Sequence, residues 1–274
     1  MTRDWDAETY DRVSGPQVAW AERVLERLPL RGDETVLDAG CGSGRVTRLL
    51  LDRLPRGRVV AVDAAPSMVE HARAVLDPER STVFSADLTE LELDEPVDAV
   101  FSNAVFHWIG DHDALFARVH AALRPGGRLV AQCGGRGNVE RFHEAAKSVA
   151  AEDPYAEYLD GWRGPWNFAG PEETAERLES AGFTQVETWL EPYPVTPDEP
   201  AAFIRTVCLG HHLPQLPEDL GTATWPRFAS AAAPRSTTCA STSAPKRPAD
   251  DGSPLTSRLT PGEMCTRQGC LSAC

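Results

Sequence analysis

The sequence predicts a doubly wound α/β domain built on a mostly parallel sheet. Three observations carry this expectation. Short β-type runs alternate with helical runs from residue 35 to 135, each strand run is nearly continuously apolar and β-branched, and a glycine-rich turn joins the first strand to the first helix. A strand covered by helices on both faces has no solvent side, so it reads as an unbroken apolar run rather than an alternating one.

The elements follow in order. Residues 1 to 34 read as a helical lid over the mouth of the sheet, with Val18, Ala19, Val24 and Leu25 on one face. TVLDAG and RVTRLLLDRL form the first strand and helix, RVVAVDA and SMVEHARAVL the second pair, and TVFSADL the third strand. VDAVFSN and DALFARVHAAL follow, and GGRLVAQCG is the fifth strand, launched by the turn Arg124-Pro-Gly-Gly127. Proline cannot continue the preceding helix, and glycine accepts the tight turn. Residues 35 to 135 are therefore the α/β core. Residues 136 to 220 form a substrate-side insertion: 136 to 180 are rich in Trp, Tyr and Gly, with a helix over PEETAERLESAG closed by Gly182, and a sixth strand lies within FTQVETWLEPYPV.

Composition narrows the function. A chain of 274 residues can bury a full core, and its net charge of -14 argues against nucleic acid or anionic lipid as partner. A small-molecule substrate is favoured; the sequence leaves the oligomeric state open, with a monomer favoured. No apolar run approaches the roughly 20 residues that cross a bilayer, and MTRDWDAETYD lacks the basic and apolar regions of a leader, so a cytoplasmic location is expected. Of the cysteines, Cys41, Cys133 and Cys208 are scattered, whereas Cys239, Cys265, Cys270 and Cys274 crowd the tail without Cys-x-x-Cys spacing; no metal is expected.

The chemistry begins at Gly40, Gly42 and Gly44, where the backbone can turn sharply and a ligand can approach without a Cβ in the way. Asp38 precedes the loop. Asp63 ends the next strand, where a carboxylate accepts both hydroxyls of an adenosine ribose. The spacing is Gly-x-Gly-x-Gly and no Lys-Ser/Thr follows, so a ligand without phosphate fits better than a dinucleotide or a triphosphate.

With these features the sequence resembles the class I S-adenosylmethionine-dependent methyltransferases over residues 5 to about 215. DAGCGSG resembles that family's first motif, AVDAAPSMVEHA the second, SADL the third, VDAVFSNAVFHW the fourth and LRPGGRL the fifth. The resemblance implies a Rossmann-like methyltransferase sheet and S-adenosylmethionine as cofactor. Carried over, it implies that Asp38 and the loop of Gly40, Gly42 and Gly44 face the methionine part and that Asp63 binds the ribose. Met68 would pack on the adenine, Asp87 and Leu88 would address its amino edge, and Asn103 would stand beside the sulfonium. WDAETYDRVSGPQ, SNAVFHWIGDH and WNFAGPEETAERLESAGF are similar to the trans-aconitate methyltransferases and their small-molecule relatives. That likeness implies ester formation on a small carboxylic acid. A carboxylate is ionised at pH 7, so transfer needs positioning rather than a base. Tyr10, His107 and Trp108 would orient the reactants, and Arg136 with Trp166 would grip distal carboxylates through the guanidinium fork. His211 and His212 read as solvated. Alternative acceptors are a natural-product hydroxyl or nitrogen, or a carrier-bound acid. An inactive cofactor-binding protein and an NAD-dependent oxidoreductase are the rivals from other classes, the latter disfavoured by the glycine spacing.

After residue 220 the pattern breaks. The body has a single lysine, Lys147, and many Ala and Arg, as a GC-rich gene gives; the segment 221 to 274, rich in Ala, Pro, Arg, Ser, Thr and Cys, reads like such a gene out of frame. Codons rebuilt across the junctions Arg235-Ser236, Thr238-Cys239, Ala240-Ser241 and Thr242-Ser243 acquire a central T when the serines use TCN, and central T encodes only apolar residues. The tail is therefore expected to be a disordered or non-native, frameshifted end, with strand seven of the sheet missing.

Overall fold

The computed structural model describes residues 15–159, 161, 164–192, 215–217, 219–220 and 268–273. The expectations for Tyr10, for His211 and His212, and for most of the tail lie outside these residues.

A seven-stranded sheet forms the centre, made of β1 (Thr35–Ala39), β2 (Arg58–Asp63), β3 (Ser81–Ser85), β4 (Val97–Asn103), β5 (Leu123–Cys133), β6 (Thr184–Leu190) and β7 (Gln268–Ala273). Their spatial order is β3-β2-β1-β4-β5-β7-β6, and every pairing is parallel. The helices are α1 (Gly15–Glu26), α2 (Arg45–Asp52), α3 (Pro66–Val75), α4 (His112–Ala122), α5 (Glu140–Ala150), α6 (Ala156–Leu159) and α7 (Pro171–Ser180), with a short 3-10 turn at Phe106–Trp108. None of the described helices is long and apolar enough to cross a membrane.

Neighbouring residues of the central strands serve opposite faces, as the period of two requires. Val36, Ala61, Phe101 and Val130 pack with Ala21, Val24, Leu25, Leu50 and Leu54 of the α1 and α2 side. Leu37, Val62, Val100 and Leu129 pack on the other side with Leu115, Phe116 and Val119 of α4 and Leu178 of α7. Burying both faces is why these strands carry no polar register. Residues 15 to 28 of the expected lid thus lie against the sheet through Ala21, Val24, Leu25 and Leu28.

The Arg-Pro-Gly-Gly turn survives as a bulge inside β5. Leu123 faces Val97 but Arg128 already faces Ala99, so the intervening residues loop out. Arg124 donates to Asp98 Oδ1 at 2.6 Å while the Thr35 N–H donates to Oδ2 at 2.8 Å, which ties the bulge to the start of β1. Gly182 closes α7 as expected, with φ +102° and the Phe183 N–H returning to the Leu178 carbonyl at 3.1 Å.

One expectation is corrected. The place of strand seven is filled: Gln268–Ala273 lies between β5 and β6, with Cys270 opposite Val130 and Leu271 opposite Thr188. It runs parallel to both neighbours. The rows of N–H and C=O groups on β5 and β6 need partners, and a backbone of almost any sequence supplies them. That demand leaves no hydrophobic signature in the sequence.

The chain leaves β1 outward to β2 and β3 and returns to β4 on the other side of β1. The carboxyl ends of β1 and β4 therefore flank the switch point where open α/β sheets hold their ligands.

Candidate active site

Two loops meet at this switch point. The first follows β1: Gly40 and Cys41 both donate to the Val62 carbonyl, at 2.8 and 2.9 Å, so the loop folds onto the end of β2. Gly40 has φ +89°, and a Cβ placed there would lie 2.2 Å from a methyl of Val105 in the loop after β4. Gly42, at φ +53°, has nothing within 4 Å of its Cβ direction. The loop is thus pressed against protein at Gly40 and open at Gly42, and Gly44 leads into α2 at φ +84°.

Two carboxylates stand behind the loop. Asp38 is fully buried, receives a 2.7 Å hydrogen bond from the Thr47 hydroxyl, and burial pushes its pKa up to about 7. Asp63 is half-buried. Gly42 N–H donates to its Oδ2 at 2.9 Å and Ala65 N–H to its Oδ1 at 2.9 Å. Each carboxylate oxygen has two lone pairs, so one on each stays available after these bonds. Burial raises the Asp63 pKa, the backbone N–H groups of Ala65, Gly42 and Ala64 opposing it.

Met68 is buried on α3, and Leu88 is buried in the core beside Val62. Asp87 is exposed and turns back on its own loop, accepting from the Thr89 N–H at 2.9 Å and the Thr89 hydroxyl at 2.7 Å. Asn103 ends β4. Next to it Ala104 adopts φ +61° with its N–H on the Gln132 carbonyl at 2.8 Å, a left-handed conformation that costs a residue with a Cβ about 1 kcal/mol or more. Ser102 donates to the Ala39 carbonyl at 2.6 Å, so the ends of β1 and β4 are fastened together.

Beyond Ala104 the 3-10 turn presents His107 and Trp108. The Gly134 N–H donates to His107 Nδ1 at 3.1 Å, which requires that nitrogen to be unprotonated and leaves the proton on Nε2. Burial, assisted by His112, pushes the His107 pKa down to about 3. The imidazole is neutral at physiological pH. Because its folded pKa lies below its ordinary value, the associated stability is complete above about pH 6.5 and drains away as pH falls toward 3. The melting temperature of the protein should therefore drop between pH 7 and pH 5, and drop less in His107→Asn, whose amide oxygen can still accept from Gly134. An equal drop in both proteins would show that His107 is not a source of the acid sensitivity.

The structure gathers His107, Trp108 and Trp166 into one aromatic cluster and adds Phe142, His143 and Phe168 to it. Trp108 and Trp166 centroids lie 5.6 Å apart, His107 and Phe168 5.7 Å, and Trp166 stacks on Phe168 at 5.6 Å with 16° between planes. His143 lies 5.0 Å from Trp166, and Phe142 meets the same ring edge-on. Asn167 pins the segment to the turn, its N–H on the His107 carbonyl at 2.8 Å and its amide on the Gly110 carbonyl at 2.9 Å. His143 and Phe168 carried no spacing that separates them from ordinary helix and loop residues; only the WNFAG string drew attention to their neighbourhood.

Arg136 does not join the cluster's rings. Its guanidinium packs over Gly170, where a Cβ would lie 1.9 Å from Nη2, and is 3.9 Å from Glu172 with 62% of the side chain exposed. A cavity of about 10 Å³ beside His112, Cys133 and Thr174 has room for about one water and cannot hold an organic acceptor.

Residues 36–127 match a methyltransferase domain family. Similar proteins include the trans-aconitate 2-methyltransferase of Azoarcus sp., 32% identical over 78% of this chain and 84% of the relative, and that of Methylobacterium nodulans, 33% identical over 68% and 67%. The trans-aconitate 2-methyltransferase of Shigella flexneri is 33% identical over 69% of this chain and 72% of its own. Among solved structures, Haemonchus contortus phosphoethanolamine N-methyltransferase 2 with S-adenosyl-L-methionine aligns at TM-score 0.51 and 25% identity, over 65% of this chain and 41% of that one. A chain of the Haloferax volcanii Trm112 activator–methyltransferase complex shares the fold at TM-score 0.53 and 23% identity, over 66% and 77%. With its five ordered motifs on a sheet of this strand order, the chain belongs to the class I S-adenosylmethionine-dependent methyltransferases, in the group related to the trans-aconitate methyltransferases.

Proposed function

We propose that the protein transfers a methyl group to a carboxylate oxygen of a small organic acid. The observation that carries this reading is the state of His107. Its Nδ1 already takes the Gly134 N–H, and its pKa near 3 makes it a poor proton acceptor. A hydroxyl acceptor needs a base matched to working pH. A carboxylate needs none, being ionised already. The names of the similar trans-aconitate 2-methyltransferases agree with such an acceptor.

When bound, S-adenosylmethionine supplies an electrophilic methyl on a sulfonium; the acceptor oxygen's lone pair forms the new C–O bond as the C–S pair returns to sulfur. The chain's residues hold and orient. Asp63, aimed by Gly42 and Ala65, offers one lone pair per oxygen to the two ribose hydroxyls. The open space at Gly42 suits close approach of the methionine part beside Gly40 and Gly44, with Asp38 behind the loop. Met68 and Leu88 would flank the adenine, Asp87 would face its amino edge, and Asn103 would stand beside the sulfonium. His107 gives its Nε2–H to the acceptor, and Trp108 excludes water.

The test is the chemistry of the product. Radiolabelled methyl transferred to an acid should leave as volatile methanol under mild alkali, and His107→Asn should keep kcat within about tenfold. A base-stable product, or a loss of the 10²–10⁴-fold size expected when a general base is removed, would overturn the carboxylate reading.

A further inference from the structure

We propose that His112 is a positioning residue for methyl transfer: it fixes the peptide unit that enters His107, and Arg177 of α7 fixes His112 in turn. The inference deepens the reading of His107 as the donor to the acceptor and rests on that placing, not on the acceptor being a carboxylate.

The turn that carries His107 is only three residues long, Phe106–Trp108. Its own bonds run from the Trp108 N–H to the Val105 carbonyl at 2.8 Å and from the Ile109 N–H to the Phe106 carbonyl at 3.1 Å. So short a 3-10 segment has little cooperativity of its own, and tertiary ties set how it sits. The Asn167 N–H donates to the His107 carbonyl at 2.8 Å, and the Gly134 N–H to His107 Nδ1 at 3.1 Å. His112 Nε2 lies 2.9 Å from the Phe106 carbonyl. That carbonyl shares one planar peptide unit with the His107 N–H, so the His112 bond sets the rotation of the unit from which the His107 side chain departs.

The chemistry of His112 gives the bond a direction. A carbonyl only accepts, so Nε2 carries the proton and Nδ1 keeps its lone pair. The ring is buried at the start of α4, 5.5 Å from the Phe116 ring, and burial lowers its pKa, which keeps Nδ1 unprotonated. Arg177 Nη1 stands 3.4 Å from Nδ1. The guanidinium is itself held, with Nη2 on Glu173 at 2.7 Å and Nε 3.6 Å from Asp113. A line of contacts thus runs from α7 through the imidazole to the turn. An apolar ring would fill this space without desolvating an imidazole; what the imidazole adds is a donor and an acceptor in fixed directions.

The experiment compares the full chain with His112→Phe, His112→Gln and Arg177→Met. It reads amide hydrogen exchange at Gly134 and Asn167, and kcat and KM for methyl transfer from S-adenosylmethionine to trans-aconitate. In His112→Phe both amides should exchange about tenfold or more faster and kcat should fall about tenfold, while S-adenosylhomocysteine affinity stays within about threefold. His112→Gln, whose amide can donate to the Phe106 carbonyl and accept from Arg177, should return exchange and kcat to within about threefold of the wild type. Arg177→Met leaves the ring in place and should move both in the same direction by about threefold. Unchanged exchange in His112→Phe, or in Arg177→Met if the former does not fold, overturns the inference. An equal rise at the Gly40 amide also overturns it, because His112 would then serve the fold as a whole. So does faster exchange at Gly134 and Asn167 with kcat unchanged. Failure of the wild type to methylate trans-aconitate counts against the carboxylate reading alone, and the exchange data then decide this inference.

Discussion

Replacing Gly40 by alanine is expected to weaken S-adenosylhomocysteine binding by at least about 100-fold and to lower the melting temperature. Two costs add. The new Cβ would sit 2.2 and 2.5 Å from the two methyls of Val105, a backbone-anchored side chain that cannot swing away as a flexible tip could. Overpacking of this kind costs about 1–3 kcal/mol. The φ of +89° adds about 1–2 kcal/mol for any residue with a Cβ. The relief of either strain moves the loop off Val105 and away from the end of β4, so affinity falls with stability. The comparison with Gly42→Ala isolates the ligand's share: nothing lies within 4 Å of that Cβ, so stability should change by only about 1 kcal/mol while affinity still drops. Val105→Ala combined with Gly40→Ala should recover part of the lost stability, as contacting residues couple. Additive losses in the double variant would mean that the Val105 clash is not the cause.

Asp63→Asn is expected to cost a similar amount of affinity with a smaller effect on folding. The native carboxylate accepts the Gly42 and Ala65 N–H groups and keeps a lone pair on each oxygen. Asparagine keeps one acceptor oxygen and turns an NH₂ toward the other backbone N–H, so the side chain loses both its aim and one of its two acceptors. Hydrogen bonds to charged groups contribute about 1.5–3 kcal/mol each, and two lost ribose contacts correspond to about 10² to 10⁴ in affinity. The pH dependence has a definite sign. Burial raises the Asp63 pKa, so the ionised form becomes scarce as pH falls, and S-adenosylhomocysteine affinity of the wild type should weaken toward acid; the Asn variant should lack that limb. Calorimetric titration of both proteins across pH 5 to 8 checks this. Parallel curves would remove Asp63 from the binding account.

Much of the fold was legible because parallel strands and glycine turns leave strong local marks. The unbroken apolar runs of β1, β2, β4 and β5, the proline and glycines before Arg128, and Gly182 at the end of α7 each encode a conformation through their own chemistry. The strand Gln268–Ala273 did not, since it joins the sheet through backbone groups that any sequence possesses. The candidate site divides in the same way. Gly40, Gly42 and Asp63 follow from motif spacing, and the structure sets them around one loop. The aromatic cluster comes from the 3-10 turn, α5 and the segment before α7, which share no period, so Phe168 and His143 could not be joined to Trp108 by reading along the chain. Arg136 shows the converse. Its residue type suggested a carboxylate grip, but Gly170 offers the guanidinium a surface to lie on and Glu172 a charge to face.

The loop of Gly40 to Gly44 with Asp63 is proposed as the site for S-adenosylmethionine, in place of a dinucleotide. Calorimetric titration of the full chain with S-adenosylhomocysteine, with and without saturating NAD, tests it most directly. One S-adenosylhomocysteine should bind per chain with an affinity that NAD leaves unchanged. Binding of NAD without binding of S-adenosylhomocysteine would contradict it.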